Sequence, residues 1–183
     1  MTYLFFRWER GMSSPAGPDL PPDNRVTIRH PGESGFLRRD ENLGRNIVWW
    51  LFACVGLFRR GGFSEVSITR NGHSVHRLIV TPKWYRFPDM AAADLQIGDL
   101  WTAPAARGQG LARAAIAIVH DRLGDRFERI WYIVAADNAA SIRLIEHCGY
   151  RLVGKGVRTR PFGLGALGRF RITDRLDAAS PRS

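Results

Sequence analysis

Residues 107–112, Arg-Gly-Gln-Gly-Leu-Ala, place two glycines between an apolar run and a helical pattern. Glycine costs a helix about 1 kcal/mol against alanine, so a pair at a helix start marks backbone that must come close to something. A helix that opens after a strand leaves its first N–H groups unpaired. Together with the positive end of the helix dipole they form an anion site. Gly108 and Gly110 let a phosphate approach the main chain without meeting a side chain, and Arg107 adds charge at the rim. Phosphate binding is the first chemistry these residues suggest.

The net charge of +10 also favours an anionic partner, which nucleic acid, an acidic membrane surface or a phosphate-rich cofactor would each supply. Charge alone does not choose among them. Only Lys83 and Lys155 are lysines, and the arginines are scattered, as a general bias toward arginine would leave them. Nucleic acid is therefore not the expected partner; binding driven by charge would show as salt-dependent retention on RNA. Cys54 and Cys148 lie far apart without C-x-x-C spacing, which fits a reducing cytoplasm. His73 and His76, three apart in a strand, point to opposite faces, so no metal site is expected. The apolar run at residues 47–58 is too short to span a bilayer and reads as a buried helix. The first apolar stretch is followed at once by Arg7, Glu9 and Arg10, without the layout of a signal peptide.

At 183 residues and 45% hydrophobic content, one domain with a full core is the default. The Pro, Ser and Gly cluster within residues 1–24 reads as an irregular lead-in rather than a packed element, with a folded unit over 25–176 and a disordered tail at 177–183. A strand near Arg25 precedes a helical stretch over 36–58. Asn71-Gly72 between two β-rich runs predicts a hairpin, and a strand over 95–103 leads into the glycine turn. Leu111, Ala114, Ala115, Ile118 and Val119 recur at helical spacing, and residues 129–135 form an apolar run expected of an interior strand. Asn138 and Gly149 bracket a second helix as its cap and its left-handed stop, and two last strands follow. The order implies an α/β fold with a central mixed, mostly antiparallel sheet and helices on both faces. The G-x-G-x-x-G at 163–168 is set aside as a hairpin loop, since only fifteen residues follow Gly168. A dinucleotide site would need a following helix and an acidic residue about 20 positions on.

Arg107, Gly110 and Ala112 resemble the R/Q-x-x-G-x-G/A motif of the GNAT acetyltransferases. The strand before it resembles the one that lies along the pantetheine arm, and residues 138–150 resemble the family's second motif, from an Asn to a Gly-aromatic pair. The likeness covers about residues 94–156 and implies the GNAT fold. It also implies transfer of an acetyl group from acetyl-CoA, as cosubstrate, to a primary amine. On that reading Arg107, Gly108, Gln109, Gly110, Leu111 and Ala112 hold the diphosphate. Backbone N–H groups near Leu100, Trp101 and Thr102 serve the thioester and the pantetheine amides. Asn138 would bond the pantetheine arm, and its alternative reading is a plain helix cap.

Such a transfer must deprotonate an ammonium, hold an oxyanion and protonate a thiolate. Relatives often place a tyrosine acid where this chain has Ile145, which makes Ser141 the next candidate. Ser141 could equally be a small residue that lets CoA pass, or hold a water. Cys148 and Tyr150 are weaker candidates. For the base, Asp94 and Asp99 lie in the active strand; Asp99 is the first choice, since a carboxylate among apolar neighbours holds its proton more tightly. Strand parity counts against it, because residues 96, 98, 100 and 102 share a face and Asp99 would then point away. His76 on the adjacent strand is the alternative base.

Residues 82–90 interleave Lys83 and Arg86 with Trp84, Tyr85 and Phe87, which suits stacking on a base or sugar. A small-molecule amine such as a nucleotide-linked amino sugar is one acceptor; an amine on RNA or a protein N-terminus is another, and a partly buried loop is the plain reading. A CoA-binding module without catalysis is the alternative class, and a homodimer is compatible with either.

Overall fold

The computed structural model describes residues 1–30, 62–123, 127–159 and 168–176, together with residues 47, 50–52, 54, 56, 58 and 161. Eight strands form one sheet: β1 (Thr2–Glu9), β2 (Asn24–Arg29), β3 (Ser64–Arg70), β4 (His73–Pro82), β5 (Asp94–Thr102), β6 (Arg129–Ala135), β7 (Arg151–Arg158) and β8 (Phe170–Arg175). Two helices follow β5 and β6: α1 (Leu111–Leu123) and α2 (Ala139–His147). The spatial order is β2-β3-β4-β5-β6-β1-β7-β8. Every neighbouring pair is antiparallel except β5 and β6.

The first strand corrects the expectation of an irregular lead-in over residues 1–24. Thr2–Glu9 lies inside the sheet, paired with β6 on one side and β7 on the other. Its sequence explains this, because aromatic side chains alternate on a pleated strand with both faces covered. Leu4, Phe6 and Trp8 join the large core beneath the helices, whereas Tyr3 and Phe5 join a second cluster with Phe87 and Trp131. Residues 13–20 have no regular structure, but they pack along α1 rather than leading in from solvent.

The hairpin at Asn71-Gly72 has φ of 50° and 81° at its two central residues, the left-handed pair that a two-residue turn of this hand requires. Leu95 and Ile97 of β5, Ile130, Tyr132 and Val134 of β6, and Leu111, Ala115, Ile116 and Val119 of α1 share the main core. Ile145 and Cys148 bring α2 into the same layer. On the opposite face Phe58, Phe63, Ile79 and Trp84 pack with Trp50 and Phe52, and Trp50 and Phe52 are helical. Helical residues thus cover both faces. Most of the helical stretch expected over 36–58, the tail at 177–183 and residues 163–167 lie outside the described residues.

Two histidines are shut into the main layer. His120 of α1 shares a 2.8 Å hydrogen bond through Nε2 with the Tyr150 hydroxyl and packs edge-on against Trp8, with ring centroids 4.6 Å apart. His76 of β4 is fully buried and shares a 2.8 Å bond through Nδ1 with Thr102 Oγ1. Burial lowers both imidazoles to about 4, and the Arg77 charge adds to the effect at His76. Both are therefore neutral in the folded protein at pH 7.

Phe6, about 1% exposed, makes β1 a structural member, and Phe6→Ala should cost about 3–5 kcal/mol in urea unfolding. A cost under about 1 kcal/mol would mean that β1 is not a core strand. The histidines set a pH dependence. Their folded values lie below the unfolded 6.5, so their contribution is complete above pH 6.5 and is lost as pH falls toward 4. The loss should reach about 3 kcal/mol per histidine, read as a falling urea midpoint that flattens in a His76→Gln, His120→Gln double variant.

Candidate active site

The site begins where β5 and β6 stop pairing. Their parallel ladder runs only from Asp94↔Arg129 to Ile97↔Tyr132, although β5 continues to Thr102 and β6 to Ala135. The closed end is pinned by Asp94, which is fully buried. Its Oδ2 accepts from Trp131 Nε1–H and from the Ala91 N–H, both at 2.8 Å, and Arg129 Nε lies 3.3 Å from Oδ1. Asp94, weighed as a base from the sequence, is thus the tie between two strands.

Asp99 creates the opening. The β4–β5 register passes from Arg77↔Trp101 to Ile79↔Gly98, so two residues of β5, Asp99 and Leu100, oppose Leu78 alone. Asp99 has φ of 50°, costly for a side chain with a Cβ, and is exposed. This bulge overturns the parity expected from the sequence. Leu100 now packs on the same core as Leu95 and Ile97, and Thr102 faces His76, while Trp101 lies on the other face with Arg77 over its ring at 4.6 Å. Asp99 does not sit between apolar neighbours on an interior strand; it is turned out at the point where the strands part.

The glycine turn lies just beyond. A short 3₁₀ turn, Pro104–Ala106, leads into Gly108 (φ 76°) and Gly110 (φ 74°). The first bond carried into α1 runs from the Ala114 N–H to the Gly110 carbonyl at 3.0 Å, which leaves the N–H groups of Leu111, Ala112 and Arg113 without helical acceptors. The two glycines differ in surroundings. A Cβ on Gly108 would meet nothing within 4 Å, whereas one on Gly110 would lie 2.8 Å from Pro18 Cγ. Pro18 belongs to the strap formed by residues 13–20, where Arg113 Nε donates to the Ala16 carbonyl at 2.8 Å. A cavity of about 600 Å³ remains between the strap and α1, lined by Ser14, Asp19, Leu20, Ala117, His120 and Asp121 among others. Gln109 is held from both ends: Arg70 Nη2 donates to its Oε1 at 2.9 Å, and its Nε2 donates to the Ala105 carbonyl at 3.2 Å. Arg107 is exposed at the rim, its Nε donating to the Thr102 carbonyl at 3.4 Å.

On the far side of the opening stands α2. Asn138 caps it, Oδ1 accepting from the Ser141 N–H at 3.1 Å, so the cap reading describes that oxygen. Ser141 is half-buried in the first turn of α2. Ile145 is fully buried, and burial pushes the Cys148 thiol up to about 11. Burial likewise raises Tyr150 well above a free phenol, and its hydroxyl is engaged by His120. Of the candidate bases, His76 has no exposed surface and is a poor proton acceptor at about 4, so it serves as a strut under Thr102 rather than as an open base. Reading by motif missed Pro18, because no local signal links it to Gly110. Among the described residues, no helix is long and apolar enough to cross a membrane, and no three His, Cys, Asp or Glu side chains converge as metal ligands.

The profile described as Acetyltransferase (GNAT) family matches residues 9–150. No curated protein matches the chain. Among solved structures, a tandem GNAT protein from the clavulanic acid biosynthesis pathway superposes with a TM-score of 0.62 at 13% identity, over 82% of this chain and 50% of the other. A putative GNAT-family acetyltransferase from Novosphingobium aromaticivorans gives 0.51 at 18% identity, over 85% and 62%. An aminoglycoside N-acetyltransferase in complex with CoA gives 0.50 at 11% identity, over 69% and 91%. This chain therefore spans about half to three-fifths of the length of the first two, and these likenesses speak to the fold. The profile match covers most of the sequence and includes the parted strands, the glycine turn and α2, and on that ground the chain belongs to the GNAT acetyltransferase family.

Proposed function

We propose that the protein transfers an acetyl group from acetyl-CoA to a primary amine of a small molecule. One observation carries the reading: the gap between β5 and β6 opens directly onto the glycine turn at the start of α1. An extended amide-bearing arm fits between two strand edges that no longer pair, because its amides satisfy backbone groups that the ladder leaves unmade. A diphosphate at the far end of such an arm then meets the N–H groups of the glycine turn and of Leu111 and Ala112. The backbone of Leu100, Trp101 and Thr102 lines the arm's path, Arg107 screens the phosphate charge, and Gln109 braces the turn through Arg70. Acetyl-CoA supplies the activated acyl group when bound. Asp99, exposed where the strands part, is the carboxylate assigned to take the ammonium proton.

The acceptor we favour is an amino sugar, including a nucleotide-linked one, in the cytoplasm. The support is the loop at residues 83–87, in which Arg86 stacks against Trp84, Tyr85 and Phe52 at 5.2–5.8 Å. Trp84 and Phe87 are buried, however, so this loop also completes the core. A protein N-terminus and an RNA amine remain the competing acceptors, and a panel of amines with acetyl-CoA, read by thiol release, separates them. Binding of acetyl-CoA without release of thiol on any amine would favour a binding module instead.

The cradle itself is tested at Gly108, because the space around it is open and only the left-handed backbone is strained, at a cost of about 1 kcal/mol. Gly108→Ala should leave a cooperative fold and weaken acetyl-CoA at least tenfold in calorimetry. Unchanged affinity in a folded variant would remove the phosphate from this turn. Gly110→Val is the poorer probe, since its side chain would also collide with Pro18 and disturb the strap.

A further inference from the structure

The acetyl-transfer reading uses Asp99 and the edges of the gap, but it leaves unexplained a row of side chains on the face of the sheet turned away from α1. Ser67 of β3 pairs directly with Arg77 of β4, and Arg77 with Trp101 of β5. Directly opposed residues share a face. Val66 and Ile68, on either side of Ser67, belong to the core beneath α1, so the row lies on the other side. The Arg77 guanidinium carbon sits 4.6 Å from the centre of the Trp101 ring, and Asp99 lies two residues before Trp101, at the bulge.

Two further features make the row a place for a ligand. Gly98 pairs with Ile79, which belongs to the apolar cluster of this face, so position 98 faces the same way. Its backbone is outside the left-handed region, and a Cβ there would meet nothing within 4 Å. Neither conformation nor packing calls for glycine; the missing side chain leaves open sheet surface across the bulge from Trp101. Ser67 supplies the second feature: it is 4% exposed, yet its Oγ has no hydrogen-bond partner among the described residues. A buried hydroxyl left unpaired is costly, and an oxygen of a ligand lodged on the row would relieve it.

Arg77 decides what that ligand is. Stacking on an indole engages the flat face of a guanidinium and leaves the N–H groups along its edge, in the fork that grips a carboxylate or a phosphate. A plain polyamine would bring a second positive charge against it. An amine bearing an anionic group instead sets its ammonium toward Asp99 and its anion toward Arg77, with charges matched at both ends.

We propose that Arg77, braced by Trp101 and flanked by Ser67, is the anion subsite for the acceptor, which is therefore a primary amine that also carries a phosphate or carboxylate group. The inference rests on acetyl transfer as given above and narrows the amino sugar to an acidic one, such as a sugar phosphate or a nucleotide-linked sugar. Transfer itself is unaltered: the amine nitrogen bonds to the thioester carbonyl carbon, and the C–S bond breaks with its electron pair on sulfur. Of the ammonium protons, one stays on the amide, one ends on the CoA thiol and one passes through Asp99 to solvent.

The test uses the whole chain, acetyl-CoA and matched acceptors: glucosamine against its 1-phosphate and 6-phosphate, and an α-amino acid against the amine left by its decarboxylation. In at least one pair kcat/KM should favour the charged member by more than about tenfold, and the pair that shows it tells phosphate from carboxylate. Arg77→Met, which keeps an aliphatic stem over Trp101, should raise KM for that acceptor roughly 30- to 100-fold, with kcat and the acetyl-CoA Kd within about threefold. Should that variant fail to fold, Arg77→Lys, which keeps the charge without the fork, should still raise KM about tenfold. Gly98→Val, a good strand residue, should raise the acceptor KM about tenfold without weakening acetyl-CoA. Equal kcat/KM within every pair, turnover confined to uncharged or polycationic amines, or a preference untouched by Arg77→Met would overturn the subsite and leave acetyl transfer standing. A wild type that releases no thiol with any amine would remove acetyl transfer itself, and the acceptor subsite with it.

Discussion

Backbone N–H and C=O groups must be paired wherever water is excluded, and in the middle of this sheet the ladder between β5 and β6 stops short. β5 and β6 pair over four residues and then part, though each remains laddered on its outer side, β5 to β4 and β6 to β1. The facing edges are therefore held on their outer sides and carry no ladder to each other beyond Ile97 and Tyr132. A bulge at Asp99 provides the extra length that swings β5 away, and Asp94 with Arg129 and Trp131 holds the other end closed. Everything assigned to the site lies on or beside these two edges.

The layer of helices on that face has a second consequence. α1 and α2 shut a set of polar groups, His76, His120, Tyr132 and Tyr150, into an otherwise apolar core. Thr102 is the partner of His76, and His120 and Tyr150 are partners of each other. Low dielectric keeps the imidazoles neutral and the phenols protonated, so these groups form a wall of weak dipoles rather than charges. The formal positive charge beside the glycine turn is carried by the exposed Arg107 and by Arg70, which donates to Gln109.

The chain also closes its sheet from its own start. β1 fills the space between β6 and β7, and the strap that follows it crosses α1, with Gly17 against Ala114 and Ala117 and Pro18 against Gly110. The glycine at 110 thus answers two demands, a left-handed backbone and room for a proline ring, whereas Gly108 answers the first and opens onto free space.

Much of the architecture could be read from the chain because it depends on local chemistry. The Asn71-Gly72 turn, the cap at Asn138, the stop at Gly149 and the apolar run over 129–135 each act within a few residues, and each fixes an element in the structure. The glycine pair announced itself in the same way, since a left-handed backbone restricts which residues can occupy it. Other features were decided by pairing across long separations. β1 is hidden in the sequence by the prolyl, glycyl segment that follows it, and only its place between β6 and β7 shows why Tyr3 and Phe5 face one side and Trp8 the other. The bulge at Asp99 arises from register against β4, and no simple alternation rule anticipates an extra residue. The meeting of His120 with Tyr150, and of Pro18 with Gly110, likewise exists only once the helices, the sheet and the strap share one layer, because contact between distant residues is set by packing and not by their spacing in the chain.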